Sequence, residues 1–242
     1  MTHMDITTTL SAFVELGARW VLWMLVGLSV AALSVIIERI VFLAATREDV
    51  GSLKREVQQL LDRQGLNRAL QRLDERPSSE ARLAAAALRD ARPAAARDPG
   101  FPRRALERLG AARAEERLRL ERGVAFLGTL AAAAPFVGLL GTVIGIVAAF
   151  HQLALSQGRL TGALMSEIGE ALVATAVGLL VALPALAAFN GLQRVIQVRI
   201  TRGEAFARET LTHWASRLEA IAGATTPRGT DDAELAEHGG AR

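Results

Sequence analysis

Residues 123–158 read GVAFLGTLAAAAPFVGLLGTVIGIVAAFHQLALSQG and hold no Asp, Glu, Lys or Arg. As one helix this stretch reaches about 54 Å at about 1.5 Å per residue, well past a hydrocarbon core of about 30 Å, yet it is too short for two spans. The turn signal Ser156, Gln157, Gly158, Arg159 marks one end. That puts one membrane span at about residues 136–155, with Pro135 at its start and the Ala-rich part before it in water. At about 100° per residue, Ala131, Pro135, Gly138, Thr142, Gly145 and Ala149 fall on one side of this helix. Phe136, Val137, Leu140, Ile144 and Val147 fall on the other. Small faces let backbones approach other helices in lipid, where no hydrophobic force drives association, while bulky faces suit acyl chains or large neighbours.

The rest of the chain divides around that stretch. Residues 20–37 carry no charge and form a first span, which runs to residue 45 past Glu38 and Arg39. No basic segment precedes it and the apolar run exceeds that of a cleaved signal peptide, the alternative considered. Residues 46–122 hold 18 Lys plus Arg against 13 Asp plus Glu and no run long enough to span. Leu53, Val57, Leu60 and Leu61 recur at helical spacing there, as do residues 83–88 and 106–120, with breaks at Gly65, Pro77, Pro93, Pro99 and Pro102. A helical insert is expected whose charges form a solvated face, and whose last helix runs past Gly110 into the apolar stretch. Residues 159–167 read as a hairpin, 168–193 as a third span, 194–224 as an amphipathic helix and 225–242 as a disordered tail. The insert holds 18 bases and the segment after the third span 7, against one each before the first span (Arg19) and in the hairpin (Arg159). By the positive-inside rule, insert and tail are cytoplasmic, while residues 1–19 and the hairpin are periplasmic.

Composition closes off other chemistries. There is no Cys, so disulfides, thiolate metal sites and Cys nucleophiles are excluded, and no HExxH, GxSxG or phosphate loop is present. Neither a cofactor nor a metal is expected, nor an enzyme. The pI is about 10.7, but the formal excess is only +3 and aromatics are 5% of residues, too few for base stacking, so nucleic acid is not an expected partner.

Chemistry within the spans reduces to a few polar groups. Thr142 stands on the small side of the second span; in the third, Ala171, Thr175, Gly178 and Ala182 share one face. Gly138, Gly141, Gly145, Ala171 and Gly178 are the expected helix-packing positions. The two threonines form either a shared polar lining near mid-depth or two hydroxyls each bonded to its own helix. Glu167 and Glu170 stand at the outer mouth of the third span, where a carboxylate must face water or protein and is a candidate proton site. Glu170 lies about 140° around the helix from Thr175, so one axis cannot receive both. His151 reads as a solvated interfacial histidine.

Two motifs, APFVGLLGTVIGIVAAF at 134–150 and SEIGEALVATAVGLLVALPALAAFN at 166–190, resemble the MotA/TolQ/ExbB proton-channel family, with weaker support from IIERIVF at 36–42. One span before a long insert and two after it is similar to the ExbB and TolQ branch. The resemblance implies an all-helical, three-span protein of the bacterial inner membrane, assembled as a homopentamer. Its second and third spans would line a pore around the single spans of ExbD- or TolR-type chains, and the complex would drive a TonB- or TolA-type protein. By motif position Thr142, Thr175 and Glu170 would lie on the proton pathway. TonB-linked uptake, Tol-linked envelope maintenance and a gliding motor remain open, as does a non-conducting membrane scaffold in which the small faces serve only assembly.

Overall fold

The computed structural model describes residues 18–92, 98 and 100–225. The N-terminal segment before residue 18, the expected breaks at Pro93 and Pro99, and the tail beyond Thr225 lie outside the described residues. Seven helices and no strand make up those residues. They are α1 (Arg19–Ala45), α2 (Val50–Arg63), α3 (Leu66–Asp74), α4 (Ser79–Leu88), α5 (Phe101–Glu121), α6 (Val124–Leu155) and α7 (Gly162–Thr225). Three of them, α1, α6 and α7, are long and apolar enough to cross a membrane. The all-helical, three-span class expected from the charge-free runs is the class observed.

One compact unit holds residues up to 45 together with 121–196. Here α6 runs antiparallel to both neighbours. As the α6 residue falls from Gly145 through Gly141 and Gly138 to Gly128, the nearest α7 residue rises from Ala171 through Ala174 and Thr175 to Phe189. On the other side, the partners of Gly141 and Gly123 are Val21 and Val35 of α1, and that of Gly145 is Ala18, just before α1. The buried residues of α6 include Val124, Leu127, Ala131, Ala134, Gly138, Gly141 and Gly145, spaced alternately three and four apart, which is the spacing of a helix laid along its neighbours. Outward-facing positions are bulky and bare: Phe136 is 71% exposed, Phe150 67% and Leu180 70%. Pro135 does not start a helix; α6 passes through it, as α7 passes through Pro184. Each proline lacks an N–H and so leaves the carbonyl four residues earlier without its helical donor.

The second unit is formed by residues 46–120 and 197 onward. Its core is conventional for a protein in water. Leu53, Val57 and Leu61 from α2, Leu73 from α3, Leu83 and Leu88 from α4, Leu109 from α5, and Phe206 and Trp214 from α7 are all buried in one cluster. The Trp214 indole Nε1 donates to the Ala91 carbonyl at 2.6 Å. Helix starts are capped where the sequence allows: Asp49 accepts from the Gly51 N–H at 3.1 Å and Ser78 from the Ala81 N–H at 3.4 Å, which satisfies orphan first-turn donors. Around the core, arginines pair with acids, as in Arg76 with Glu48 at 3.2 Å and Arg113 with Glu204 at 3.0 Å.

Three boundaries differ from expectation. Pro102 is not a break; it lies in the first turn of α5, where a missing N–H costs nothing. The α5 helix does not run on into the apolar stretch, because Gly123 takes φ 78° and separates it from α6. That left-handed conformation is open to glycine without a Cβ penalty. Finally, the third span and the amphipathic helix after it are one helix of 64 residues, about 96 Å at about 1.5 Å per residue.

Candidate pore-lining site

The site is built where α6 and α7 come closest. A Cβ added at Gly138 would lie 2.8 Å from the Ala174 carbonyl oxygen and 3.0 Å from the Thr175 Cα. One added at Gly178 would lie 2.7 Å from the Ala134 carbonyl oxygen and 3.0 Å from the Gly138 Cα. These are backbone atoms and cannot give way, so the two glycines permit the approach. One turn further, a Cβ added at Gly141 would lie 2.6 Å from the Ala174 Cβ and 3.2 Å from Val21, and one added at Gly145 would lie 2.5 Å from the Ala171 Cβ. Gly141 and Gly145 therefore sit on a seam shared by all three long helices.

That close approach lets Thr175 reach across. Its Oγ1 donates to the Gly138 carbonyl at 3.0 Å, the acceptor that regular helix geometry assigns to the Thr142 N–H. Thr142 uses its own hydroxyl differently, donating to the Leu139 carbonyl at 2.7 Å within α6. The two threonines thus stand on facing helices within about a turn of each other, with their hydroxyls on the adjacent α6 carbonyls of Leu139 and Gly138. Thr142 follows the self-bonded alternative, and Thr175 does not. Both are half-buried, at the edge of the seam. The packed arc of α6 is wider than the small face read from the sequence, and Ile144, assigned to the opposite side, is buried at 8% exposure. The reason is that α6 has neighbours on two sides, α1 as well as α7.

Glu170 does not join the threonines. Its carboxylate accepts from Arg19 at the start of α1, with Nε at 3.2 and 3.3 Å from the two oxygens and Nη2 at 3.0 Å from Oε1. Glu167, one turn earlier, is half-buried with Oε2 buried and lacking a hydrogen-bond partner among the described residues. His151 is exposed. No group of acids or histidines among the described residues could hold a metal.

In comparison with known proteins, the sequence profile of the MotA/TolQ/ExbB proton channel family matches residues 75–205, more than half of the chain. The chain belongs to this family. The matched region takes in α4, α5, α6 and most of α7, hence Thr142, Thr175 and Glu170, but leaves Arg19 outside. A biopolymer transport protein ExbB of Xanthomonas campestris is 42% identical over 94 residues, 39% of this chain and 37% of that protein. A putative biopolymer transport protein ExbB-like 2 of Helicobacter pylori is 39% identical over 89 residues, 37% of this chain and 59% of the relative. The Tol-Pal system protein TolQ of Pseudomonas aeruginosa is 40% identical over 102 residues, 42% of this chain and 43% of the relative. The chain therefore matches well under two thirds of the length of each, and both the ExbB and TolQ branches of the MotA/TolQ/ExbB family are represented.

Two features of this family member were missed in the sequence. One is the Arg19–Glu170 pair, whose signal was a lone base flanking the first span and an acid at the mouth of the third, assigned to the same side of the membrane. The other is Glu80 on α4, 4% exposed, with Oε2 lacking a hydrogen-bond partner among the described residues. Burial pushes its carboxyl above the ordinary range, helped by Glu48, while its own backbone N–H, Arg199 and Arg202 pull it down. It looked like one more charge on a solvated helix. A groove of about 750 Å³ in the same unit is lined by Arg82, Arg89 and Arg108. Each of these is held by a carboxylate, of Glu116, Asp74 and Asp90 respectively, so the groove presents no free guanidinium.

Proposed function

We propose that this chain is the pore-forming stator subunit of a proton-driven complex in the bacterial inner membrane. It passes protons between its α6 and α7 helices and the span of a partner chain, and couples that flow to an envelope protein. Family membership and the names of the ExbB and TolQ relatives support the class. The observation that carries the site is that the Thr142 and Thr175 hydroxyls bond to adjacent α6 carbonyls, those of Leu139 and Gly138, in an otherwise apolar helix pair. A proton crossing lipid needs a group that can be charged and neutral in turn. The described parts of α6 and α7 hold no acid at that depth, so the acid is supplied by an ExbD- or TolR-type single span. The threonine hydroxyls can donate to its charged form and accept from its neutral one. Glu170 serves the outer mouth. Packing of five copies, with the bare apolar residues of α1, α6 and α7 against neighbours and lipid, is part of the same reading, as is a TonB- or TolA-type protein as the energised partner.

The test is proton flux into liposomes holding the purified chain, with and without a co-expressed single-span partner. Flux is expected only with the partner, and Glu170→Gln is expected to lower it without preventing assembly. Robust flux from the chain alone, unchanged by Glu170→Gln, would refute both the partner requirement and the role of Glu170. Absence of flux in every combination, with the complex intact, favours the scaffold reading, in which the Gly138–Gly178 approach serves assembly alone. Orientation is tested separately: the chain has no Cys, and cysteines at the exposed positions Gln157 and Ser52 are expected to react with an impermeant thiol reagent from outside only at Gln157.

A further inference from the structure

Glu170 is held by a residue outside the family match, and the next acid along the same helix stands ready to replace it. Arg19 reaches Glu170 with three contacts between 3.0 and 3.3 Å, a forked geometry stronger and more directional than a single point charge would give. Its root is fixed by Ala18, which is buried and packs where Gly145 meets Ala171. The Arg19 side chain is 76% exposed. Glu167 lies three residues before Glu170, hence on nearly the same face of α7. It has a buried oxygen without a hydrogen-bond partner among the described residues. An unmatched carboxylate oxygen one helical turn from the acid that Arg19 holds is a second seat for that bidentate donor.

We propose that Arg19 is a two-position latch on the pathway: seated on Glu170 it holds that carboxylate toward α1 and away from the threonine side, and by moving to Glu167 it releases Glu170 to take part in proton transfer. This rests on the channel reading given above. It explains how a carboxylate about 140° around the helix from Thr175 serves the same pathway, since release rather than helix geometry decides where it points. The charged groups around the latch are few. The α6 helix carries no Asp, Glu, Lys or Arg along its length, α1 contributes Arg19, and α7 contributes Glu167 and Glu170. Among the described residues of these three helices at this end, the switching lies within this triad.

The experiment measures proton flux into liposomes holding this chain co-purified with a co-expressed ExbD- or TolR-type single-span chain. Arg19→Gln removes the latch and is expected to raise flux about five-fold or more, the usual lower range for coupling between sites. Glu167→Gln removes the second seat, traps Arg19 on Glu170 and is expected to lower flux by a similar factor. The Arg19→Gln, Glu167→Gln double variant should behave like Arg19→Gln, and Arg19→Lys, which keeps the charge but not the fork, should fall between wild type and Arg19→Gln. A mere structural tie between α1 and α7 gives a different pattern: Arg19→Gln lowers flux and Glu167→Gln leaves it alone. That pattern, or Arg19→Gln at the wild-type rate in a correctly assembled complex, overturns the latch while leaving the channel reading standing. Absence of flux in the wild-type complex overturns the channel reading itself, and the latch with it.

Discussion

The two compact units are both helical, yet they hold together by opposite means. In the unit of residues 46–120 and 197 onward, large side chains are inside: Leu53, Leu61, Leu73, Leu83, Leu88 and Leu109 are fully buried, and the surface is a lattice of ion pairs. In the unit of α1, α6 and the first half of α7, the closest approaches are made by Gly and Ala, with Val21, Leu25 and Leu127 buried beside them, while many other large residues, Phe136, Phe150 and Leu180 among them, point outward. Water explains the first arrangement, because removing apolar area from it is worth about 25 cal/mol per Å². It cannot explain the second. Lipid offers no such gain, so close backbone approach and shared hydrogen bonds must hold the helices. The contrast shows which solvent each unit is built for more directly than hydropathy does.

Bulk at the closest approach should have the largest effect. Gly138→Leu or Gly178→Leu is expected to abolish assembly, since even a Cβ there meets backbone atoms below 3.0 Å. By contrast, Gly203→Ala in the other unit meets the end of the Leu83 side chain at 2.8 Å, which can rotate away, and should assemble normally. Native gels compare the three; wild-type oligomers for Gly138→Leu would show that the seam is not packed in solution. Next in size is truncation of large side chains. Leu61→Ala should cost about 2–5 kcal/mol in the buried core, whereas Leu180→Ala, already exposed, should change little. Thermal unfolding in detergent measures both, and equal effects would erase the contrast.

Smaller effects sharpen the same point. Thr175→Val removes a hydrogen bond between helices and should cost about 0.6–1.7 kcal/mol, while Thr142→Val removes one within its own helix and should cost less. Both are expected to lose flux while retaining assembly, and Thr→Ser to retain both. Full flux in the double valine variant would leave the hydroxyls without a role. The smallest effect expected is at Glu80. Its carboxyl in the folded chain takes up a proton at higher pH than in the unfolded chain, so the native state binds more protons between the two values. Stability then falls as pH rises through that window and is greatest below it. Unfolding followed between pH 4 and pH 8 should show this fall, and Glu80→Gln should remove it and raise stability at neutral pH.

How much of this could be read in advance follows from which neighbours a residue meets. Long charge-free runs have no stable home except as spanning helices, so α1, α6 and α7 were legible, as was the turn at Gln157 and Gly158. That turn closes with the Gly158 N–H on the Leu153 carbonyl at 3.0 Å and the Gln157 N–H on that of Ala154 at 3.3 Å. The end of α5 was not legible, because one glycine within a helical pattern, Gly110, continues the helix while another, Gly123, breaks it. The threonines were found by their polarity, but the phase of the packed face was missed at Ile144, since one helix pattern does not reveal that α1 also packs on α6. Arg19 with Glu170 was hidden for the same reason: the two are 151 residues apart and belong together only once α1 and α7 lie side by side.

The shared carbonyl of Gly138 also limits what the bundle can do mechanically. Sliding α7 along α6 by one turn, about 5.4 Å, would move Gly178 away from Gly138, whose missing side chain admits it, and would break the Thr175 bond to the Gly138 carbonyl. Shear between these helices therefore gives up both the glycine-to-glycine fit and the bond across it, whereas turning or tilting α6 and α7 together keeps them.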